Sequence, residues 1–234
     1  MQHDKDAAVI DNGNKVRRWI TYVAGIYILT LGLSLAIRAA IGISPQSSLT
    51  RTMTLVFTPL SQGNYNLILE VIMLVLTFLV RPKAFKASYL LSMIPALVLA
   101  LLLDLNLWLT EWIHLEPYTA NLVLLVFADA MLALGLFLMI RANLILMPID
   151  LFVNTIQQMT GRKWGNIKTV FDCTLLALSA GIGLVFLGAP HFIREGTIIN
   201  AILVGQYVKG YFFLYEKFAA RKRPAQFVPA PVTD

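Results

Sequence analysis

The chain has 234 residues, 58% of them hydrophobic and 14% charged, with mean hydropathy +0.71 and net charge +6. So little charge cannot clothe a water-soluble domain of this size, and the composition points to an integral membrane protein. In such a chain the positive excess reports orientation, so the expected partner is the lipid bilayer and not nucleic acid.

The first 18 residues mix Asp4, Asp6 and Asp11 with Lys5, Lys15, Arg17 and Arg18. That is too long and too mixed in sign for a signal-peptide n-region, and the apolar run that follows is too long for an h-region. The segment reads as an N-terminal tail (1–18) ahead of a retained helix. Trp19 to Ile37 holds 19 residues without a charge, Ala87 to Leu103 holds 17 and Cys173 to Pro190 holds 18. About 20 helical residues cross ~30 Å of hydrocarbon. Full spans are predicted over 19–40, 64–81, 87–109, 119–141, 165–187 and 196–215. Two pieces remain, Pro45–Thr58 and Pro148–Thr160, each opening on a proline that suits a first helical turn. At ~1.5 Å per residue each is about 20 Å long, too short to cross. Both read as half-helices in re-entrant loops.

Charge tests the count. With the N-terminus inside, Arg81, Lys83 and Lys86 fall in the cytoplasm, as do Arg162 and Lys163. The loop 111–118 falls outside, carrying Glu111 and Glu116 and no lysine or arginine. The basic tail (216–234), with Lys217, Arg221, Lys222 and Arg223, is a cytoplasmic anchor on anionic lipid. Eight spans, or five, would put a basic cluster on the wrong side.

Leu31–Pro45 reads LGLSLAIRAAIGISP, and 103 residues later Leu134–Pro148 reads LGLFLMIRANLILMP. Gly32 recurs as Gly135, Arg38 as Arg141 and Pro45 as Pro148. With one residue deleted in the second copy, Gly63-Asn64 matches Gly165-Asn166 and Glu70 matches Asp172. An odd number of crossings separates the copies, so the second points the opposite way. The expected fold is an all-α polytopic bundle of six transmembrane helices plus two half-helices, as an inverted repeat of 19–110 and 119–215.

A half-helix opening at Pro45 or Pro148 presents unpaired N–H groups and partial positive charge. Ser44 can cap the first, and Ser47 stands at its third position. An arginine nearby adds a planar fork of donors. Arg38, Ser44, Ser47, Arg141 and Asp150 are therefore candidate solute-binding residues; the competing reading has the arginines snorkelling and Asp150 satisfying its own helix. Glu70 and Asp172 lie about two turns into their spans, where a carboxylate marks a pathway or an ion-coupling site. Lys168 can pair with Asp172 at i,i+4. Asp129 and Lys209 lie within spans without repeat mates, and Asp104 is expected at an interface. Gly25, Gly32, Gly135, Gly181, Gly183 and Gly205 are expected at close helix contacts. Trp19, Trp108, Trp112 and Trp164 fall at span ends, where aromatic belts form.

No phosphate-binding glycine loop, HExxH or GxSxG elbow is present, and His3, His114 and His191 are scattered. The single cysteine, Cys173, excludes an intramolecular disulfide and a cysteine-based metal site, and packing is its expected role. An enzyme, a cofactor and a metal site are not expected.

At Ala39, Gly42 and Pro45 an apolar helix runs into an Ala-x-x-Gly-x-x-Pro stretch. Here the chain resembles the YczE/YitT-type group of bacterial integral membrane proteins, over about residues 17 to 215. That group shows an aromatic-acidic pair after the proline. This chain has Gln46-Ser47 in the first copy and Ile149-Asp150 in the second, keeping only the later acid. The group is described with about five spans, one fewer than predicted here. The resemblance implies a multi-pass protein of the bacterial inner membrane. Together these readings predict a transporter or channel for a small anionic or zwitterionic solute held between inverted repeats. The alternative is a non-transporting partner or scaffold of another membrane complex. Homo-oligomerisation stays open.

Overall fold

The computed structural model describes residues 14–190 and 192–222, with side chains as far as 218. His3, most of the N-terminal tail, His191 and most of the basic C-terminal tail lie outside these residues. All regular structure among the described residues is helical: α1 Lys15–Ala39, α2 Pro45–Val56, α3 Gln62–Val80, α4 Met93–Leu109, α5 Tyr118–Ala142, α6 Pro148–Thr160, α7 Trp164–Leu187 and α8 Glu195–Lys222. Two short 3₁₀ segments, Pro82–Ala84 and Ala87–Ser92, lead into α4. Among the described residues six helices are long and apolar enough to cross a membrane: Lys15–Ala39, Gln62–Val80, Ala87–Leu109, Tyr118–Ala142, Trp164–Leu187 and Glu195–Phe218. The last helix continues beyond the predicted 215, because Phe218 to Lys222 holds good helix formers and the next proline is Pro224.

Local structure repeats with the sequence. α1 and α5 are both 25 residues long. Each ends on a left-handed cap, Ala40 at φ 54° and Asn143 at φ 44°. Asparagine tolerates that conformation; alanine is held there by its surroundings. Five residues after each cap a proline opens a short helix, of 12 residues in α2 and 13 in α6. Between cap and proline, Gly42 at φ 129° has no counterpart, and a Cβ there would meet the Thr197 amide nitrogen. Only glycine fits both the dihedral and the space.

Call the end of the bundle where α1 finishes upper and the other lower. At the upper end the Gly196 N–H donates to Ile41 O, and Asp104 near the end of α4 accepts from Ser61 Oγ and the Gly63 N–H at the start of α3. At the lower end Arg18 donates to Ala142 O at 3.0 Å and Asn143 O at 2.6 Å, satisfying carbonyls that end α5. The same packing relations occur twice. α1 packs on α4 as α5 packs on α8; α2 packs on α3 and α7 as α6 packs on α7 and α3. The most extensive interface is α1 on α5, where backbones nearly touch: a Cβ on Gly135 would lie 2.5 Å from Leu29 N, and one on Gly32 would lie 2.6 Å from Leu132 N. Without a hydrophobic force between helices in lipid, such close van der Waals contact holds them together.

One relation is not repeated. α3 packs on α4, with Gly63 against Ala100 and Asp104, while α7 and α8 share no comparable interface among the described residues and Gly165 has nothing within 4 Å. Gly181 and Gly205, expected at close contacts, are likewise open. Cys173, expected in packing, is exposed on α7 for the same reason. The four tryptophans are exposed at helix ends, as a belt requires.

Candidate functional site

α2 and α6 begin beside the same carboxylate. Glu70 lies eight residues into α3, about 12 Å along its axis at ~1.5 Å per residue. The Gln46 side-chain amide, in the first turn of α2, donates to Asn66 Oδ1 at 2.8 Å and Glu70 Oε1 at 3.3 Å. The Ile149 N–H, in the first turn of α6, donates to Glu70 Oε2 at 3.0 Å. Each short helix then runs to its own end of the bundle. α2 finishes where Tyr65 Oη donates to Phe57 O near the top of α3. α6 finishes where Arg81, at the bottom of α3, donates to Gln158 Oε1 at 3.0 Å. The two N-termini thus converge on the middle of α3 from opposite sides, and their partial positive charges meet there.

Carboxylates answer that charge. Glu70 is fully buried and takes one of α6's orphan N–H groups. Asp150, half-buried, stands at the third position of α6. On α7 the Lys168 Nζ donates to Asp172 Oδ1 at 2.6 Å, the i,i+4 pair expected from the sequence. Their side chains are 27% and 28% exposed, so the pair is only partly buried. Lys168 is within electrostatic range of Glu70 and of Asp150, and Asp172 is within range of Asp150. Asn66 and Glu70 on α3 occupy the positions that Lys168 and Asp172 occupy on α7. The cluster therefore sets three carboxylates and one ammonium about two helix N-termini. Among the described residues no hydrogen bond or salt bridge ends on the Asp150 carboxylate. No group of three or more His, Cys, Asp or Glu among the described residues could hold a metal ion.

The short helix α2 is capped as expected: Ser44 Oγ accepts from the Ser47 N–H at 3.4 Å and donates to Ser47 Oγ at 3.0 Å. The carboxylate on the α6 N-terminus is Glu70, however, and not Asp150, because the Asp150 side chain makes no bond back to its own helix. The arginines reach other places. Arg38 donates through Nη2 to Leu107 O, in the last turn of α4. Arg141 lies over the Tyr215 ring of α8, 4.1 Å from its centre. Each repeat arginine therefore braces the last helix of its own half. The structure gathers Glu70, Asp150, Asp172 and Lys168 and directs Arg38 and Arg141 elsewhere.

Several participants carried no sequence signal. Gln46 and Asn66 are two amides in a chain with many polar positions. Ser179 is one serine in an apolar run, yet its Oγ is 3.0 Å from Ser48 Oγ and 2.9 Å from Thr52 Oγ1, tying α2 to α7 across the halves. Asp104, expected at an interface, also joins α4 to α3 at the upper end, since the Ser61 hydroxyl and the Gly63 N–H are donors left free at a helix start. Asp129, fully buried, accepts from Asn200 Nδ2 at 2.6 Å and links α5 to α8.

The chain is 27% identical over 191 residues to "Uncharacterized membrane protein YczE" of Bacillus subtilis (strain 168), covering 81% of this chain and 83% of that protein. It is 25% identical over 209 residues to "Uncharacterized protein YyaS" of the same organism, covering 88% of this chain and 98% of that protein. No solved structure matches the chain. The model of a family of unknown function, DUF6198, matches residues 16–212, nearly the whole helical bundle, and the chain belongs to that family.

Proposed function

We propose that the protein is a transporter or channel that passes a small zwitterionic solute through the cluster around Glu70. One observation carries the reading: two short helices point their N-termini at one buried carboxylate halfway along a transmembrane helix. Broken helices meeting near the midplane of an inverted repeat are a frequent way to build a solute site. The recurring caps and prolines, and the twofold set of packing relations, support reading α1–α4 and α5–α8 as inverted copies. They support reading α2 and α6 as re-entrant half-helices. The distribution of lysine and arginine supports a bacterial inner-membrane orientation with both termini in the cytoplasm.

Charge selects among solutes. A plain anion would meet three carboxylates, while a zwitterion would place its amine beside Asp150 and its acid end toward Ser44, Ser47 and Gln46. Glu70 and Asp172, already held by an N–H and by Lys168, are the groups that would exchange partners as a coupling proton or cation enters. This geometry gives Arg38 and Arg141 a bracing role in place of contact with the solute.

The test is thermal stability of the purified protein against amino acids, amines and small carboxylates, beside Asp150→Asn. A ligand at about 100 times its Kd that binds only the folded state stabilises by about 2.7 kcal/mol. A zwitterion that stabilises the wild type and not Asp150→Asn is the expected result. Cysteines at positions 47 and 150, in a Cys173→Ser background, should also react with a membrane-impermeant thiol reagent. Unreactive cysteines in a protein that answers no ligand would sink the proposal and favour a non-transporting membrane partner.

A further inference from the structure

Arg51 stands on α2 one turn above Ser47, toward the upper end of the bundle, and is half-buried. No hydrogen bond or salt bridge among the described residues ends on its guanidinium, and its Nε is sealed from solvent without a partner. The charged group within its electrostatic range is Arg38, and no carboxylate of the described residues is in that range of Arg51. Arg38 spends one nitrogen on Leu107 O, and its Nε is also buried and unpaired. Two guanidiniums thus share one corner of a low-dielectric bundle, and Arg51 has no counter-charge there. Burying like charges together is costly unless something of opposite sign joins them. Neither arginine is so deep that its whole fork is hidden, for both are half-buried.

We infer that Arg38 and Arg51 form a binding site for an oxyanion at the upper mouth of the bundle. The guanidinium fork matches phosphate and carboxylate oxygens in pairs, and two forks can hold one such group between them. The oxyanion comes either from solution or from the phosphate of a lipid headgroup, since the site lies near the end of α4 where headgroups would lie. The inference does not depend on a solute passing Glu70.

The test uses the full-length protein in uncharged detergent, stripped of lipid. Thermal stability is followed against inorganic phosphate, with chloride at matched ionic strength as control, and separately against added phosphatidylglycerol. The variants are Arg51→Gln, Arg51→Lys and Arg38→Gln. Arg51 has no protein partner to lose, so in phosphate-free, lipid-free buffer Arg51→Gln is expected to fold and to melt no lower than wild type. Phosphate should stabilise the wild type, with apparent affinity about tenfold weaker in Arg51→Gln, the size of one lost charge-assisted hydrogen bond. Arg51→Lys should fall between them. A response to phosphatidylglycerol alone, lost in Arg51→Gln, would assign the oxyanion to lipid. Equal responses in wild type and Arg51→Gln, or none to either probe, would overturn the site. So would an Arg51→Gln protein that melts lower without any anion present, because Arg51 would then be serving the fold.

Discussion

Glu70 and Ile149 are joined by a hydrogen bond of 3.0 Å across 79 positions of sequence, from a backbone N–H at the start of one helix to a carboxylate in the middle of another. The bond lets one half of the chain supply the anion that the other half's short helix requires.

Removing that carboxylate leaves the buried Ile149 N–H without its acceptor, while the Gln46 amide keeps only Asn66 Oδ1. Glu70→Ala is expected to destabilise by about 1–3 kcal/mol, the cost of an unsatisfied buried donor. Glu70→Gln keeps an acceptor oxygen and should lose less than half of that. Reversible unfolding in mixed micelles would rank the two, and equal losses would argue against the bond.

The glycines divide into tight and open positions. Gly135→Ala places a Cβ 2.5 Å from Leu29 N and 2.7 Å from Gly25 O, and prying α1 from α5 should cost about 1–3 kcal/mol. Gly181→Ala meets nothing within 4 Å and should be neutral or slightly stabilising, by up to about 1 kcal/mol of helix propensity. The same melting assay distinguishes them.

Ser179 bonds to two hydroxyls of α2. Ser179→Ala should cost about 0.6–2 kcal/mol, as polar contacts between membrane helices do. A double-mutant cycle with Thr52→Val should show coupling, and strict additivity would mean the hydroxyls are idle.

Asp104 accepts from two donors at the start of α3, and Asp104→Ala should cost about 1.5–3 kcal/mol as bonds to a charged group are lost. It should also speed reaction of a cysteine at position 47 with an impermeant reagent added from the upper side. Unchanged labelling would mean the upper end stays shut without this contact.

The spans were legible because crossing hydrocarbon demands an apolar run that few other tasks require. Arg38, Arg141 and the two prolines were legible as a repeat because such residues are rare between leucines. The Lys168–Asp172 pair followed from helix geometry alone. The partner of Glu70 did not, because a backbone N–H leaves no mark in sequence and the meeting depends on how α6 enters the bundle. The roles of Arg38 and Arg141 were not legible either. Sequence places an arginine near the end of a helix but does not say which neighbour its long side chain reaches. Gly181 and Gly205 carry the same letter as Gly135, and only the missing α7–α8 interface separates them.

Where α1 crosses α5, backbone lies against backbone, and nothing compressible stands between them. Such a joint cannot slide or tilt without opening voids, so it is the fixed axle of the molecule. The upper end is bolted by Asp104 to Ser61 and Gly63; the corresponding lower end, at Gly165, is ajar. The two ends of the bundle have settled into unlike postures. Among the described residues α7 leans on α2, through the Ser179 hydroxyl, and on α6, with no comparable α8 surface at its back.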